Sequence, residues 1–175
     1  GSHKNTYQAQ LDSLLKAINQ EVSTYIPESD ISLFNKKTAT TFTFSPIENP
    51  HFAVNLSKSQ MVYEQTNGHF DPTVMPLVNY WGFGYTEKKA VTNVDSIKIK
   101  TILESVGFDR ITVDNSDKNQ VILTKPNANT QLDFSAIAKG YAVDVIGAFL
   151  TSKGVVNYFV EIGGETVCHG KSPRG

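Results

Sequence analysis

Asp133, Ser135, Ala136, Lys139 and Gly140 stand within one short run, Leu132–Asp144, and their types and order suit the handling of a phosphorylated ligand. The run reads as a strand ending at Asp133, a turn of small residues, and a helix opening just beyond. The first backbone N–H groups of such a helix lack intrahelical partners, so they suit an anion such as phosphate. Lys139, one turn inside, adds a positive charge on a flexible stem. Asp133 offers an acceptor to a hydroxyl, a ring N–H or a metal-bound water. Gly140 lowers helix stability by roughly 1 kcal/mol relative to alanine while permitting close approach of another backbone. The same residues also read as a surface lysine, a strand-terminal aspartate and a packing glycine, since most helix N-termini bind nothing. The Gly-x-x-x-x-Gly-Lys-Ser/Thr phosphate loop is absent, and Gly82-Phe83-Gly84 lacks the third glycine of a dinucleotide fingerprint.

The surrounding elements must position this run. Tyr7, Leu11, Leu14, Leu15, Ile18 and Val22 share one helical face, which predicts an amphipathic helix to about Thr24 with Pro27 as its stop. Ser29 or Asp30 suits the cap of a short helical turn, and residues 36–50 read as loop with one short strand. A second helix is expected over 55–66, ending at Asn67-Gly68. From His69 to Tyr85, prolines, glycines and aromatics crowd into a segment that reads as neither regular helix nor strand. Its Tyr80, Trp81 and Phe83 are expected to pack in the core. A short helix near 95–105 ends by Gly107, and strands at 110–114 and 120–125 form a hairpin. Residues 130–134 continue the strand pattern, 136–152 form the third long helix, and 157–162 a buried strand. Helices followed by strands interleaved with helices predict an α+β fold, a mixed or antiparallel sheet with packed helices.

Composition bounds the function. The chain has 175 residues, 39% hydrophobic and 19% charged, which suits one globular domain. A formal net charge of −1 supplies no field for nucleic acid, and no nucleic-acid partner is expected. No stretch approaches the roughly 20 apolar residues of a membrane-spanning helix. Cys168 is the only cysteine, so it forms no internal disulfide and anchors no zinc site. His51 and His169 have no ligand-spaced partner and read as ordinary exposed or core histidines. Gly1-Ser2-His3 reads as the remnant of an affinity tag, with residues 4–175 as a single domain. The chain stops just after a strand-like segment, which predicts that a C-terminal portion is missing.

Taken together, four segments resemble, in order, those of the ApbE family of FAD:protein FMN transferases. Leu132–Asp144 is similar to the family's strand, turn and Ala-Lys-Gly-Tyr-Ala helix. Ser29–Asn35 resembles its Ser-x-x-Ser-x-(aromatic or Leu)-Asn segment. Gly68–Gly84 resembles its Phe-Asp-x-Thr-Val-x-Pro-Leu-Val-Asn-x-Trp-Gly-Phe-Gly segment, and Asn157–Glu165 its Asn-Ile-Gly-Gly-Glu strand. Met75 and Ser135 stand where the family commonly has glycine.

The resemblance implies an enzyme that binds FAD and moves its FMN half onto a Thr or Ser hydroxyl of a partner flavoprotein, releasing AMP. It implies magnesium as Lewis acid and, as acceptor, a flavoprotein subunit of a membrane electron-transport complex. Relatives that hydrolyse FAD to FMN and AMP, and a non-catalytic flavin-binding protein, are the alternatives. By position, Asp133 and Lys139 match FAD-contacting residues, and Ala136 matches a backbone-carbonyl magnesium ligand. His69, Phe70 and Asp71 match a segment lining the FAD site, with Phe70 suited to stacking. For Asp71, a turn-capping role is an equally good reading. Tyr25 matches an aromatic position near the flavin. The remaining magnesium ligands would lie beyond Gly175, so the chain alone is expected not to transfer FMN and to bind FAD weakly or not at all. The resemblance also implies export and a lipid anchor on the periplasmic side of the inner membrane.

Overall fold

A computed structural model describes residues 7–36, 38–85 and 93–172. The tag remnant and residues 173–175 lie outside the described residues. Helix α1, Gln8–Val22, buries Ile18 and Val22, and the short α2, Asp30–Asn35, buries Ile31 and Phe34. Ser29 caps α2, accepting from the Ser32 amide at 3.2 Å while donating to the Ser23 carbonyl at 2.7 Å. The short strand within 36–50 is β1, Thr41–Phe44. It flanks β3, Gln120–Thr124, which pairs on its other side with β2, Thr112–Asp117, all antiparallel. A second antiparallel pair, β4 Tyr158–Ile162 and β5 Glu165–His169, forms a separate hairpin against α6, Ser135–Ser152. The chain is α+β, with antiparallel sheets and packed helices.

Aromatic rings knit the core between these layers. Phe52 lies 4.9 Å from Phe44, 5.6 Å from Phe42 and 5.5 Å from Phe134, ring centre to ring centre. Contacts of this kind contribute about 0.5–1.5 kcal/mol each beyond burial. Phe52 belongs to α3, Pro50–Gln65, which starts five residues before the expected Asn55. Pro50 suits the first helical turn, and a carboxylate from α1 completes the start: Glu21 Oε2 accepts from the Phe52 amide at 2.8 Å. Glu21 is buried, and desolvation pushes its pKa up. His51, expected to be an ordinary histidine, meets the Tyr141 hydroxyl through Nδ1 at 2.8 Å and so ties α3 to α6.

Three expectations need correction. The 69–85 segment does contain a helix, α4, Met75–Tyr80, because Pro76 falls in its first turn where no amide is required. Its aromatics do not enter the core: Phe83 is 80% exposed and Trp81 40%, the core positions being taken by phenylalanines from α2, β1 and α3. Residues 130–134 form no strand; Gln131 makes one isolated parallel bridge to Val74, and a side chain supplies the next pairing. Helix α5, Ser96–Leu103, and the β2–β3 hairpin appear close to their expected places.

Candidate functional site

The turn before α6 is held from two sides by segments distant in sequence. Asn35, at the end of α2, donates through Nδ2 to the Leu132 carbonyl at 2.8 Å and accepts the Leu132 amide at 2.7 Å. One amide side chain thus replaces a neighbouring strand. Gln131 Nε2 donates to the Asn35 carbonyl at 3.2 Å. On the other flank, the Asp133 amide donates to the Pro72 carbonyl at 2.7 Å, beside the Val74–Gln131 bridge. The Asn35 contacts are buried, and a buried unpaired amide would cost about 1–3 kcal/mol, so this cross-linking is strongly specified.

Asp133 then starts the helix. Its Oδ1 accepts from the Ser135 amide at 2.8 Å and from Ser135 Oγ at 2.5 Å. The amides of Ile137 and Ala138 both donate to the Phe134 carbonyl. The N-terminus is therefore not the bare anion cradle suggested by the sequence, because the Asp133 carboxylate already takes the Ser135 amide in a local turn and the Phe134 carbonyl takes two more. Ser135 and Ala136 remain exposed at its surface.

Lys139 reaches the β4–β5 turn. Its Nζ donates to the Gly163 carbonyl at 3.3 Å and lies 3.8 Å from Glu165 Oε1. That turn is Gly163-Gly164, with φ of +57° and +96°, a backbone that glycine adopts without strain and that suits a two-residue hairpin. The ion pair is about half exposed, so its net stabilisation is small. Beside it lies a cavity of about 310 Å³ walled by one face of α6, including Ala136, Gly140, Tyr141 and Asp144, and by Lys58 of α3 and Glu165 of β5.

The remaining expected residues are more scattered. Asp71 adopts the turn-capping geometry: Oδ1 accepts from the Thr73 amide at 2.7 Å and hydroxyl at 2.6 Å, and Oδ2 from the Phe108 amide at 3.3 Å. His69 is exposed, and Phe70 is half-buried with its amide on Thr66 Oγ1 at 3.1 Å. Tyr25, 71% exposed, lines a different cleft of about 340 Å³, which reaches the 131–135 turn through Asn35. Among the described residues no cluster of three or more His, Cys, Asp or Glu is placed to hold a metal. The sequence reading missed Asn35 as the turn's anchor and Glu21 as the cap of α3; the terminal Asn of the Ser-x-x-Ser segment was the one available signal.

All four resembling segments therefore meet at 131–139, through Asn35, Pro72, Val74 and Gly163. The family model described as "ApbE family" matches residues 2–175. The chain belongs to the ApbE family. Among its relatives is the FAD:protein FMN transferase of Haemophilus influenzae, 36% identical over 167 residues, covering 95% of this chain and 47% of that protein. The Vibrio cholerae FAD:protein FMN transferase is 34% identical, with 97% and 48% covered. The solved Vibrio cholerae flavin transferase ApbE superposes with a TM-score of 0.87 at 31% identity, covering 99% of this chain and 53% of that one. The apo Pseudomonas stutzeri flavinyl transferase ApbE gives 0.84 at 28% identity, with 100% and 55% covered. The chain spans about half the length of the ApbE relatives it matches.

Proposed function

We propose that this chain carries the FAD-contacting turn of an FMN transferase, which moves FMN from FAD to a Thr or Ser hydroxyl of a partner flavoprotein and releases AMP. The observation that supports the reading is the convergence of three separate segments on a fourth, at Leu132–Lys139, beside a cavity open to solvent. A turn braced from so many places is rigid, as positioning of a pyrophosphate for in-line attack requires.

Within this reading Lys139 supplies positive charge near the phosphates, exchanging its weak hold on Glu165 for them. Asp133 orients the first turn and keeps Ala136 at the surface. His69, Phe70, Asp71 and Tyr25 belong to the wider FAD site in this reading, with Asp71 acting through the turn it caps. Magnesium fits in part. The cavity wall has the Ala136 turn together with Asp144 and Glu165, oxygen-bearing groups that suit a hard cation, but these make up no complete ligand set. When bound, the ion would supply Lewis acidity at the phosphate. Deprotonation of the acceptor hydroxyl is assigned to no residue of this chain.

The acceptor is proposed to be a subunit of a membrane electron-transport complex, and the protein to be exported and lipid-anchored facing the periplasm. Family resemblance supports both. No helix among the described residues is long and apolar enough to cross a membrane, and a lipid anchor needs none.

The test is FAD titration of the 175-residue chain, with and without magnesium, beside the protein at the full length of its relatives. Binding with FMN transferred to an acceptor flavoprotein at full length, and weak or no binding by the chain, is expected. FMN and AMP released without an acceptor would favour the pyrophosphatase, and FAD recovered intact a carrier. Sub-micromolar FAD binding by the chain alone would sink the incomplete-site part of the reading.

A further inference from the structure

Two amide side chains join the Tyr25 cleft to the 131–139 turn. Asn35, on the wall of that cleft, holds the backbone of Leu132, and Gln131 returns the contact through its own side chain. Gln131 is 5% exposed and does not itself line the cleft. Its Nε2 has two hydrogens and meets two acceptors, the Asn35 carbonyl at 3.2 Å and the Tyr85 hydroxyl at 3.3 Å. Its Oε1 accepts from Asn79 Nδ2 at 3.4 Å. The three partners come from the end of α2, from the stretch after α4, and from α4 itself. Asn79 also fills the space beside Gly84, where an added Cβ would collide with its Oδ1, so the chain passes close by α4 on its way into Tyr85. Tyr85 lines the cleft together with Tyr25. An exposed ring without such a tether changes rotamer freely.

We propose that Gln131 is a positioning residue, holding the Tyr85 ring at the Tyr25 cleft and so fixing that cleft relative to the Asp133 turn. The inference rests on the FAD-binding reading above and adds two residues to it. FAD joins flat ring systems to a pyrophosphate, so its site must keep an aromatic surface and a phosphate-facing turn at one separation. Gln131 spans that separation. Its backbone belongs to the turn, through the bridge to Val74, and its side chain ends on Tyr85. An apolar side chain of the same length would fill the same space and leave the ring untethered.

The experiment is a double-variant cycle of Gln131→Met and Tyr85→Phe in the protein at the full length of its relatives, reading FAD affinity and the ligand-free melting temperature. Tyr85→Phe keeps the ring and removes the hydroxyl that Gln131 holds. It is expected to lower FAD affinity about fivefold while the melting temperature falls by less than about 2 °C. Gln131→Met should lower affinity by at least as much and also lower the melting temperature, because Asn35 and Asn79 lose a buried partner. The two changes together should bind FAD no more weakly than Gln131→Met alone. Losses that multiply in the pair show that Gln131 acts around Tyr85 and overturn the inference, as does unaltered affinity in either single variant. A larger fall in the melting temperature of Tyr85→Phe assigns its loss to stability and overturns it also. Should Gln131→Met not fold, Tyr85→Phe decides alone by the same two readings. A wild-type protein that binds no FAD overturns the functional reading and this inference with it.

Discussion

Helices α3 and α6 both begin against a carboxylate, yet the two beginnings differ in what surrounds them. Glu21 comes from α1, is itself buried, and meets the amide of Phe52, a residue with no exposed surface. Asp133 comes from two residues upstream, is half-buried, and meets the amide of exposed Ser135. The electrostatic device is the same. Where it is sealed it serves stability alone, and where it is open it leaves Ser135 and Ala136 at the surface.

The sharpest way to break this comparison is to remove both carboxylates. Glu21→Ala strands a buried amide and should lower unfolding free energy by about 3 kcal/mol, whereas Asp133→Ala should lower it by about 1 kcal/mol. Urea denaturation reads both, and equal losses would end the distinction. The opposite helix pole offers a similar test. Buried Lys125 donates to the carbonyls of Phe34 at 2.9 Å and Lys36 at 3.2 Å, closing the C-terminus of α2. Lys125→Met should lower stability by about 2 kcal/mol; a neutral result would show that sealed helix ends here do not depend on charge.

Acidity sharpens the comparison further. Burial raises the Glu21 pKa above 4.5, so between 4.5 and that raised value the folded chain holds more protons than the unfolded one. Its contribution is full at and below pH 4.5 and is lost as pH rises through the folded value. The stability advantage of wild type over Glu21→Gln should therefore grow as pH falls from 8 through the raised value toward 4.5. A constant difference would contradict the burial argument. Asp30, also raised by burial, adds in the same direction. His51, lowered by burial, opposes them, its contribution being full above pH 6.5 and lost on acidification. The smallest stability change belongs to the open region: Lys139→Met should shift unfolding by less than about 0.5 kcal/mol while weakening FAD binding at full length. A large loss of stability would make Lys139 a structural residue.

Much of this was legible in the chain itself. The 3.6-residue spacing of Leu11, Leu15, Ile18 and Val22 placed α1, and the strand runs near 110–114 and 120–125 placed the β2–β3 hairpin, although its turn falls at Lys118-Asn119. Residues 157–162 read correctly as a strand but not as a buried one, since β4 lies at the surface with Phe159 70% exposed. The start of α3 was not legible, since its cap lies 31 residues upstream. Nor was the true state of 130–134, whose strand-like pattern is satisfied by the amide of Asn35, 97 residues from Leu132.

Residue types and order alone established the α+β class, the family resemblance and the run that bears the candidate chemistry. Local propensity and motif spacing carry that information directly. The tertiary structure decided what each group is committed to: Asp71 to its turn, Asp133 to the Ser135 amide ahead of α6, Lys139 to the glycine turn, and Asn35 to the Leu132 backbone. Such commitments depend on distances between residues far apart in the chain, which packing sets and sequence neighbours do not.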